Sequence, residues 1–276
     1  MATLRQLKEK RESINSINKI TSAMQMVSTA KAQKAFKELE TYKGFYQKVD
    51  EIVKNIAQGV EQPTEFAGTL WVLFYSDMGL AGAYNNNVLK TSLENLSKDD
   101  KAIIVGYKGE ILKSKAELEQ ENVTVLSMDS FKSDEEVSKL ITTLTSAFYD
   151  DNLQVKSIFT EFVSAMDFKP KVTQVLPLVL EDKEDDFVRL EDEIDFEPSK
   201  EILLKEVMSL YIETLVTGLY KEALTSEHSA RRIAMENATK NSEDLLEDLT
   251  REFNKQRQAK ITQEISEIIG GSEALK

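Results

Sequence analysis

The sequence predicts an α/β protein in which the two ends of the chain form a long antiparallel coiled coil and the middle forms a compact domain. Three observations indicate this: the placement of proline, the spacing of apolar residues at both ends, and short apolar runs in between. The prolines are Pro63, Pro170, Pro177 and Pro198. Because a proline inside a helix costs about 3 kcal/mol, its absence elsewhere permits very long helices. We therefore expect one coiled-coil helix in 1–62, an α/β domain in 63–198 and a second coiled-coil helix in 199–276.

The N-terminal stretch has the periodicity of a helix with one apolar side. Thr3 is a suitable N-cap, and a helix over 3–57 would be roughly 80 Å long. After Val27 the apolar side consists of small residues, which allow a neighbouring helix to approach closely, until Phe36 restores bulk. The residues expected on the inner side are Leu4, Leu7, Ile14, Ile17, Ile20, Met24 and Val27.

The C-terminal stretch predicts a still longer helix, with Ser199 as its N-cap and Gly270 and Gly271 as its stop. Two helices with narrow apolar stripes most simply bury those stripes against each other, as an antiparallel coiled coil. The inner stripe expected here is Val207, Leu210, Leu215, Ala223, Ala230, Ile233, Asn237, Leu245, Leu249, Phe253, Ile261, Ile265 and Ile268.

The middle of the chain alternates between apolar strands and helices. The expected strands are 70–75, 102–105 and 123–126, the expected helices are 86–96, 110–121 and 134–149, and a strand pair follows at 156–165 and 171–178. This pair is expected to turn around Phe168, Lys169 and Pro170. Continuous apolar strands that alternate with helices predict a mostly parallel, Rossmann-like sheet covered on both faces.

The composition excludes several classes of protein. No cysteine is present, which excludes disulfides and thiol switches, and the single His228 excludes a histidine-based metal cluster or catalytic triad. The formal net charge of −13 makes the whole molecule a poor partner for nucleic acid. The charges are uneven, since 1–37 is basic and 181–197 is acidic. No apolar run approaches the ~20 residues of a membrane span, and no secretory signal or transit peptide is recognisable.

One loop suggests an enzyme. The stretch SDMGLAG at 76–82 follows a predicted strand and precedes a helix, where backbone N–H groups often bind phosphate. It matches neither G-x-G-x-x-G nor G-x-x-x-x-G-K-[ST], so a tight turn that packs the helix onto the sheet is favoured. We expect no catalytic residue, no cofactor and no metal. Two alternatives stay open here: a coiled-coil scaffold or chaperone with an α/β base, and a small α/β enzyme with helical arms.

Several stretches resemble the gamma subunits of F-type ATP synthases of the bacterial type. The stretch KITSAMQMV at 19–27 is similar to the family's N-terminal signature. SDMGLAG at 76–82 is similar to a second one, where the family more often has Arg, Cys and Gly at positions 78, 81 and 83. Near the C-terminus the similar stretches are SEHSAR at 226–231, AMENATKN at 234–241 and FNKQRQAKITQEI at 253–265. The resemblance is close at both ends and looser in the middle.

The resemblance implies a non-catalytic subunit that acts as a central rotor shaft. It would couple rotation of an ion-driven c-ring to ATP synthesis or hydrolysis. Its partners would be three alpha and three beta subunits, which hold the ATP sites, together with an epsilon subunit and the c-ring. The protein would lie at the cytoplasmic face of the cell membrane, as a peripheral part of the complex.

The resemblance also implies contact residues. Counterparts of Met24, Arg257, Gln258, Thr262 and Gln263 face or lie near the beta subunits in the family. Phe196 and Glu197 match the segment that meets the polar loops of the c-ring. From the residues themselves, the apolar stripe Ile261, Ile265, Ile268 and Ile269 is the exception on a mostly polar surface. We predict that this stripe seats in an apolar collar and acts as an apical bearing.

Overall fold

The computed structural model describes residues 3–180 and 199–274, which form two compact units. The larger unit lies within 30–230, and the smaller one consists of the two chain ends, 3–29 and 231–274. Two long helices, α1 (Leu4–Ala57) and α5 (Lys200–Ala274), contribute residues to both units. The expected α/β class with long terminal helices is therefore confirmed.

The start of α1 has the cap expected from the sequence. The Gln6 backbone N–H donates to Thr3 Oγ1 at 3.3 Å, and the Thr3 N–H donates to Gln6 Oε1 at 2.8 Å. This reciprocal pair is a capping box, which satisfies N–H groups that have no partner within the first turn of a helix. After Ala57 the chain turns at Gly59, whose φ of +78° is readily adopted by glycine.

The helix α5 continues farther than the sequence predicted. It passes through Gly270 and Gly271 and ends at Ala274, so the expected stop at these glycines is wrong. Glycine lowers helix propensity by about 1 kcal/mol relative to alanine, but it retains its N–H and causes no clash. Glycine therefore weakens a helix, whereas proline would break it.

In the smaller unit, α1 and α5 pair in antiparallel orientation. The guanidinium of Arg11 lies 5.0 Å from the centre of the Phe253 ring, and farther along α1 the Thr21 hydroxyl accepts a hydrogen bond from Thr239. The inward-facing residues, called the seam below, recur at spacings of three and four. They are Leu4, Leu7, Arg11, Ile14, Asn18, Thr21, Gln25 and Ser28 on α1, and Met235, Thr239, Ser242, Leu246, Leu249, Phe253 and Gln256 on α5.

The seam differs in part from the stripes expected from the sequence. Ile17, Ile20 and Val27 were expected inside, but their side chains are 45%, 59% and 56% exposed. Each lies one position before a seam residue, and one position turns a helix by about 100°. Pairing of two helices selects an unbroken 3.5-residue repeat, and the repeat that begins at Leu4, Leu7 and Ile14 continues through the polar neighbours instead. On α5, Leu245 lies one position before the seam residue Leu246 and is exposed. The other members of the expected inner stripe that are exposed are Leu210, Asn237, Ile261, Ile265 and Ile268.

The larger unit contains a five-stranded sheet with the strand order β3-β2-β1-β4-β5. The strands are β1 (Gly68–Phe74), β2 (Lys101–Val105), β3 (Val123–Leu126), β4 (Leu153–Phe162) and β5 (Phe168–Leu176). All neighbours are parallel except β5, which is antiparallel to β4. Between the strands lie the helices α2 (Tyr84–Asn95), α3 (Ile111–Lys115) and α4 (Asp134–Tyr149). The prediction of a mostly parallel sheet is confirmed.

Both faces of β1 are covered. Val72 and Phe74 belong to a core cluster that includes residues of α4 and of the α1 and α5 segments in this unit. Trp71 and Leu73 belong to a second cluster, which includes residues of α2 and α3. Because successive side chains of a strand point to opposite faces, this arrangement explains why the sequence of β1 is apolar without alternation.

Two local expectations are corrected. The helix expected over 110–121 is limited to α3, because the chain turns at Glu117, where φ is +53°. The turn expected around Phe168, Lys169 and Pro170 lies at 163–167 instead, and these three residues begin β5. Pro170 is tolerated there because β5 is an edge strand of the sheet, a position to which proline in sheets is largely confined.

Candidate partner-binding surfaces

The last part of α5 carries most of the predicted contact residues. Every side chain from 257 to 269 is exposed, including Arg257, Gln258, Thr262 and Gln263. Gln256 is the last residue that the seam holds half-buried, and it belongs to the same antiparallel pairing that begins at Leu4 on α1. Residues 257–274, called the terminal segment below, therefore extend beyond the paired region as a single helix.

The predicted apical residues share one side of the terminal segment. Ile261, Ile265, Ile268 and Ile269 are between 48% and 71% exposed. Their spacings of four and three place them on adjacent turns of the same side. A contiguous exposed apolar surface is uncommon on a monomeric protein and typically marks an interaction site.

The predicted polar contacts lie on the same segment and are held by weak local interactions. The Thr262 hydroxyl donates to the Gln258 carbonyl oxygen at 2.9 Å, and Gln263 Nε2 donates to Glu267 Oε1 at 2.8 Å. Arg257 forms no ion pair with another described residue, whereas the nearby Lys260 pairs with Glu264 at 3.7 Å. The charge of Arg257 is thus available for a partner.

A second exposed apolar surface lies on α1. Ile17, Ile20, Met24 and Val27, called the outer face below, lie on one side of the helix; Met24 is half-buried and the other three are exposed. Met24 is a predicted contact residue, but the outer face around it is not predicted from the sequence, because the periodicity favours its members for the helix–helix interface. The 3.5-residue repeat set by Leu4, Leu7 and Ile14 continues through Asn18, Thr21, Gln25 and Ser28, and this register is the signal that would have identified the outer face.

The seam beneath the outer face is polar. Asn18 Nδ2 donates to Ser242 Oγ at 2.9 Å and to the Thr239 carbonyl oxygen at 3.2 Å. The Thr239 hydroxyl donates to Thr21 Oγ1 at 3.0 Å. Over this stretch α1 therefore has polar groups inside and apolar groups outside, the reverse of a self-contained coiled coil. An exposed apolar face above a satisfied polar interior indicates that a partner covers it.

The predicted c-ring contact, Phe196 and Glu197, lies outside the described residues, as does the acidic stretch 181–197. Within the described ranges, no helix is both long and apolar enough to cross a membrane.

The loop at 76–82 is held by a carboxylate. Asp77 Oδ2 accepts hydrogen bonds from the Ser127 hydroxyl at 2.8 Å and from the Met128 N–H at 3.0 Å, while Oδ1 accepts from the Tyr107 N–H at 3.2 Å. The backbone N–H groups of Tyr107 and Met128 are therefore already hydrogen-bonded to the Asp77 carboxylate and are not available to bind a phosphate. Asp77 ties together the segments that follow β1, β2 and β3, which agrees with the structural interpretation of this loop.

The crevice where open α/β sheets usually bind ligands is filled by the protein itself. It lies at the carboxyl ends of β1 and β4, where the strand order changes direction. Here the Ser226 hydroxyl of α5 donates to the Thr160 carbonyl oxygen at 3.0 Å, and the buried Tyr84 hydroxyl lies 3.3 Å from the carbonyl oxygen of Ala223. This geometry disfavours the alternative of a nucleotide-binding enzyme.

Comparison with known proteins identifies similar chains. A family model described as ATP synthase matches residues 3–275. The ATP synthase gamma chain of Staphylococcus haemolyticus (strain JCSC1435) is 35% identical over 291 residues, which cover 100% of both chains. The ATP synthase gamma chain of Staphylococcus epidermidis (strain ATCC 12228 / FDA PCI 1200) is 34% identical over 292 residues, again with 100% of both chains covered.

Solved structures have the same fold. The chain matches part of the mitochondrial ATP synthase of Euglena gracilis (OSCP/F1/c-ring, rotational state 3) with a TM-score of 0.74 and 19% identity, covering 99% of this chain and 94% of that one. It also matches the central stalk/c-ring structure of the Tetrahymena thermophila mitochondrial ATP synthase, with a TM-score of 0.59 and 23% identity, covering 79% of this chain and 99% of that one.

Proposed function

The chain belongs to the ATP synthase gamma-chain family, and we propose from this premise how its surfaces serve that complex. As a gamma chain it is a non-catalytic subunit, the rotor shaft of the ATP synthase. The scaffold or chaperone alternative is set aside, because the similarity extends over the whole chain.

The proposed partners are three alpha and three beta subunits, an epsilon subunit and the c-ring. In this arrangement the ATP sites lie on the beta subunits, and the shaft changes their state by contact. A rotating helix presents a different side to each beta subunit in turn, so it favours a different conformation of each through differential contacts. Peripheral attachment at the cytoplasmic face of the cell membrane is part of the same proposal.

The proposed contacts follow the exposed surfaces. Arg257, Gln258, Thr262 and Gln263 contact the beta subunits, with the unpaired charge of Arg257 directed to an acidic or carbonyl group. Met24 makes its contact together with the outer face that surrounds it. The isoleucines of the terminal segment seat in an apolar collar, and Phe196 and Glu197 contact the c-ring.

The observation that supports this proposal most strongly is the exposure of every side chain from 257 to 269. Four isoleucines on one side of a single helix would lower solubility and stability if they stayed in water. A surrounding ring of subunits removes them from water without the need for a second helix from this chain.

The test is reconstitution with candidate alpha and beta subunits. ATP hydrolysis and size-exclusion elution are measured with and without the chain, after both partners are shown to be folded. We expect one copy of the chain per alpha–beta ring and turnover that depends on it. Folded partners that neither co-elute with the chain nor respond to it would contradict the shaft function.

A further inference from the structure

The terminal segment packs little against the other described residues of the chain. Its side chains from 257 to 269 are all exposed, whereas Leu249, in the paired part of the same helix, is 6% exposed. Most helical stability in proteins comes from packing of one face against other elements. The terminal segment lacks such packing within the described residues, so its helical form depends on local sequence alone.

The local sequence is unfavourable for an unsupported helix. Isoleucine is β-branched and has a lower helix propensity than alanine or leucine, and glycine has a lower one still; the segment contains Ile261, Ile265, Ile268, Ile269, Gly270 and Gly271. Each of these residues reduces the chance that the helix propagates from the paired part beyond it.

The end of the segment lacks favourable charges. The last turn of α5 contains no basic residue that would offset the partial negative charge at the C-terminal end of the helix. The ion pair of Lys260 with Glu264 is exposed, and exposed pairs contribute little.

We propose that the terminal segment folds into a helix only when partner subunits surround it, so that helix formation is coupled to assembly. This inference rests on the proposed function, which supplies the apolar collar for the isoleucines. An unfolded end can thread into a ring of subunits, and burial of its isoleucines then drives the helix to form. The ordering of the segment opposes binding, so a pre-ordered segment binds more tightly.

The test is amide hydrogen exchange of the full chain, alone and in the reconstituted complex with alpha and beta subunits. In the free chain we expect amides of 258–272 to exchange within about tenfold of an unstructured peptide, and amides of 235–253 to be protected at least about 100-fold more. In the complex, 258–272 should become protected. Protection of 258–272 in the free chain, or its absence in an assembled and active complex, would overturn the inference.

A pair of glycine variants separates this inference from the proposed function. Replacing Gly270 and Gly271 together by alanine should raise the helicity of the free chain by circular dichroism and slow exchange at 258–272. The matched control is Gly44→Ala in α1, where an added Cβ would meet nothing within 4 Å. The control should leave exchange at 258–272 unchanged. If the chain fails to assemble with its partners, the proposed function is contradicted. Hydrogen exchange of 258–272 in the free chain, and its response to the two alanines, still tests whether the terminal segment is helical without partners.

Discussion

Asn18 of α1 donates its side-chain amide to Ser242 Oγ of α5 at 2.9 Å, at a seam position where most coiled coils hold an apolar residue. The same amide also donates to the Thr239 carbonyl oxygen at 3.2 Å. The pairing of the two chain ends at this level therefore depends on hydrogen bonds, and it leaves the apolar residues of the outer face available to a partner.

Substitution of Asn18 will separate the hydrogen-bond contribution from the packing contribution. Asn18→Ala should lower the free energy of unfolding by about 1 kcal/mol, because its hydrogen bonds are lost. Asn18→Leu should be neutral or stabilising, since leucine buries apolar surface and Ser242 still donates to the Thr239 carbonyl oxygen at 2.7 Å. The measurement is urea unfolding followed by circular dichroism. Equal destabilisation by both variants would contradict this account.

Removal of the Asp77 carboxylate should destabilise the larger unit. Asp77→Ala leaves the Met128 N–H and the Ser127 hydroxyl without their charged acceptor, which should cost about 2 kcal/mol in the free energy of unfolding. The control is Asp99→Asn at an exposed position, with an expected change within about 0.5 kcal/mol. The comparison uses urea unfolding followed by Trp71 fluorescence. A loss no larger than that of the control would show that the loop does not depend on Asp77.

Glu222 should make stability depend on pH. It lines a cavity of about 190 Å³ with Leu39 and Tyr46, and burial raises the pKa of its carboxyl. A carboxyl with a raised pKa favours the folded state when protonated, so its contribution declines as pH rises from the unfolded-state pKa through the folded-state pKa.

Glu222→Gln is neutral at every pH. The variant should therefore unfold at a higher temperature than the natural chain at about pH 7, and this advantage should shrink towards about pH 4, where both side chains are uncharged. Glu213→Gln, at an exposed position of the same helix, removes the same charge and is the control. An advantage that is constant with pH would rule out titration of Glu222 as its origin.

Two glycines should respond in opposite directions to alanine. At Gly109 an added Cβ would lie 2.4 Å from Ile104 Cγ2 and from Tyr75 Cδ2, so Gly109→Ala should destabilise by at least about 2 kcal/mol. At Gly44, within α1, nothing lies within 4 Å, so Gly44→Ala should stabilise by about 0.5–1 kcal/mol. Thermal unfolding of the two variants side by side checks both signs. A stabilised Gly109→Ala would mean that the surrounding core relaxes freely.

The isoleucines of the terminal segment should matter for assembly and not for the free chain. Ile265→Asp should weaken co-elution with alpha and beta subunits by about tenfold or more, because a charge would enter an apolar collar. Ala259→Asp adds the same charge on another side of the same segment and should have a smaller effect. The thermal unfolding of both free variants should match that of the natural chain. Normal assembly of Ile265→Asp with the alpha and beta subunits would count against the prediction that the isoleucine stripe acts as an apical bearing.

Features that depend on neighbours in the sequence were predictable. The capping pair of Thr3 with Gln6 and the apolar run of β1 follow from short stretches, and α4 has the bounds expected from its periodicity, Asp134–Tyr149. The contacts of Asp77 were not predictable, because Ser127 lies 50 positions away and no local pattern connects the two. The contact residues of the terminal segment came from resemblance, and their partner contacts remain predictions.

The sequence by itself determined that both ends are long helices and that the middle is a covered, mostly parallel sheet, because propensity, proline placement and apolar periodicity act locally. Only the tertiary structure decided which side of α1 faces α5. Two candidate stripes lie about 100° apart on that helix, and the pairing with Thr239 and Ser242 selected the polar one. The more apolar stripe stayed outside, since a helix interface is chosen by the repeat that both helices share and not by the hydrophobicity of either alone.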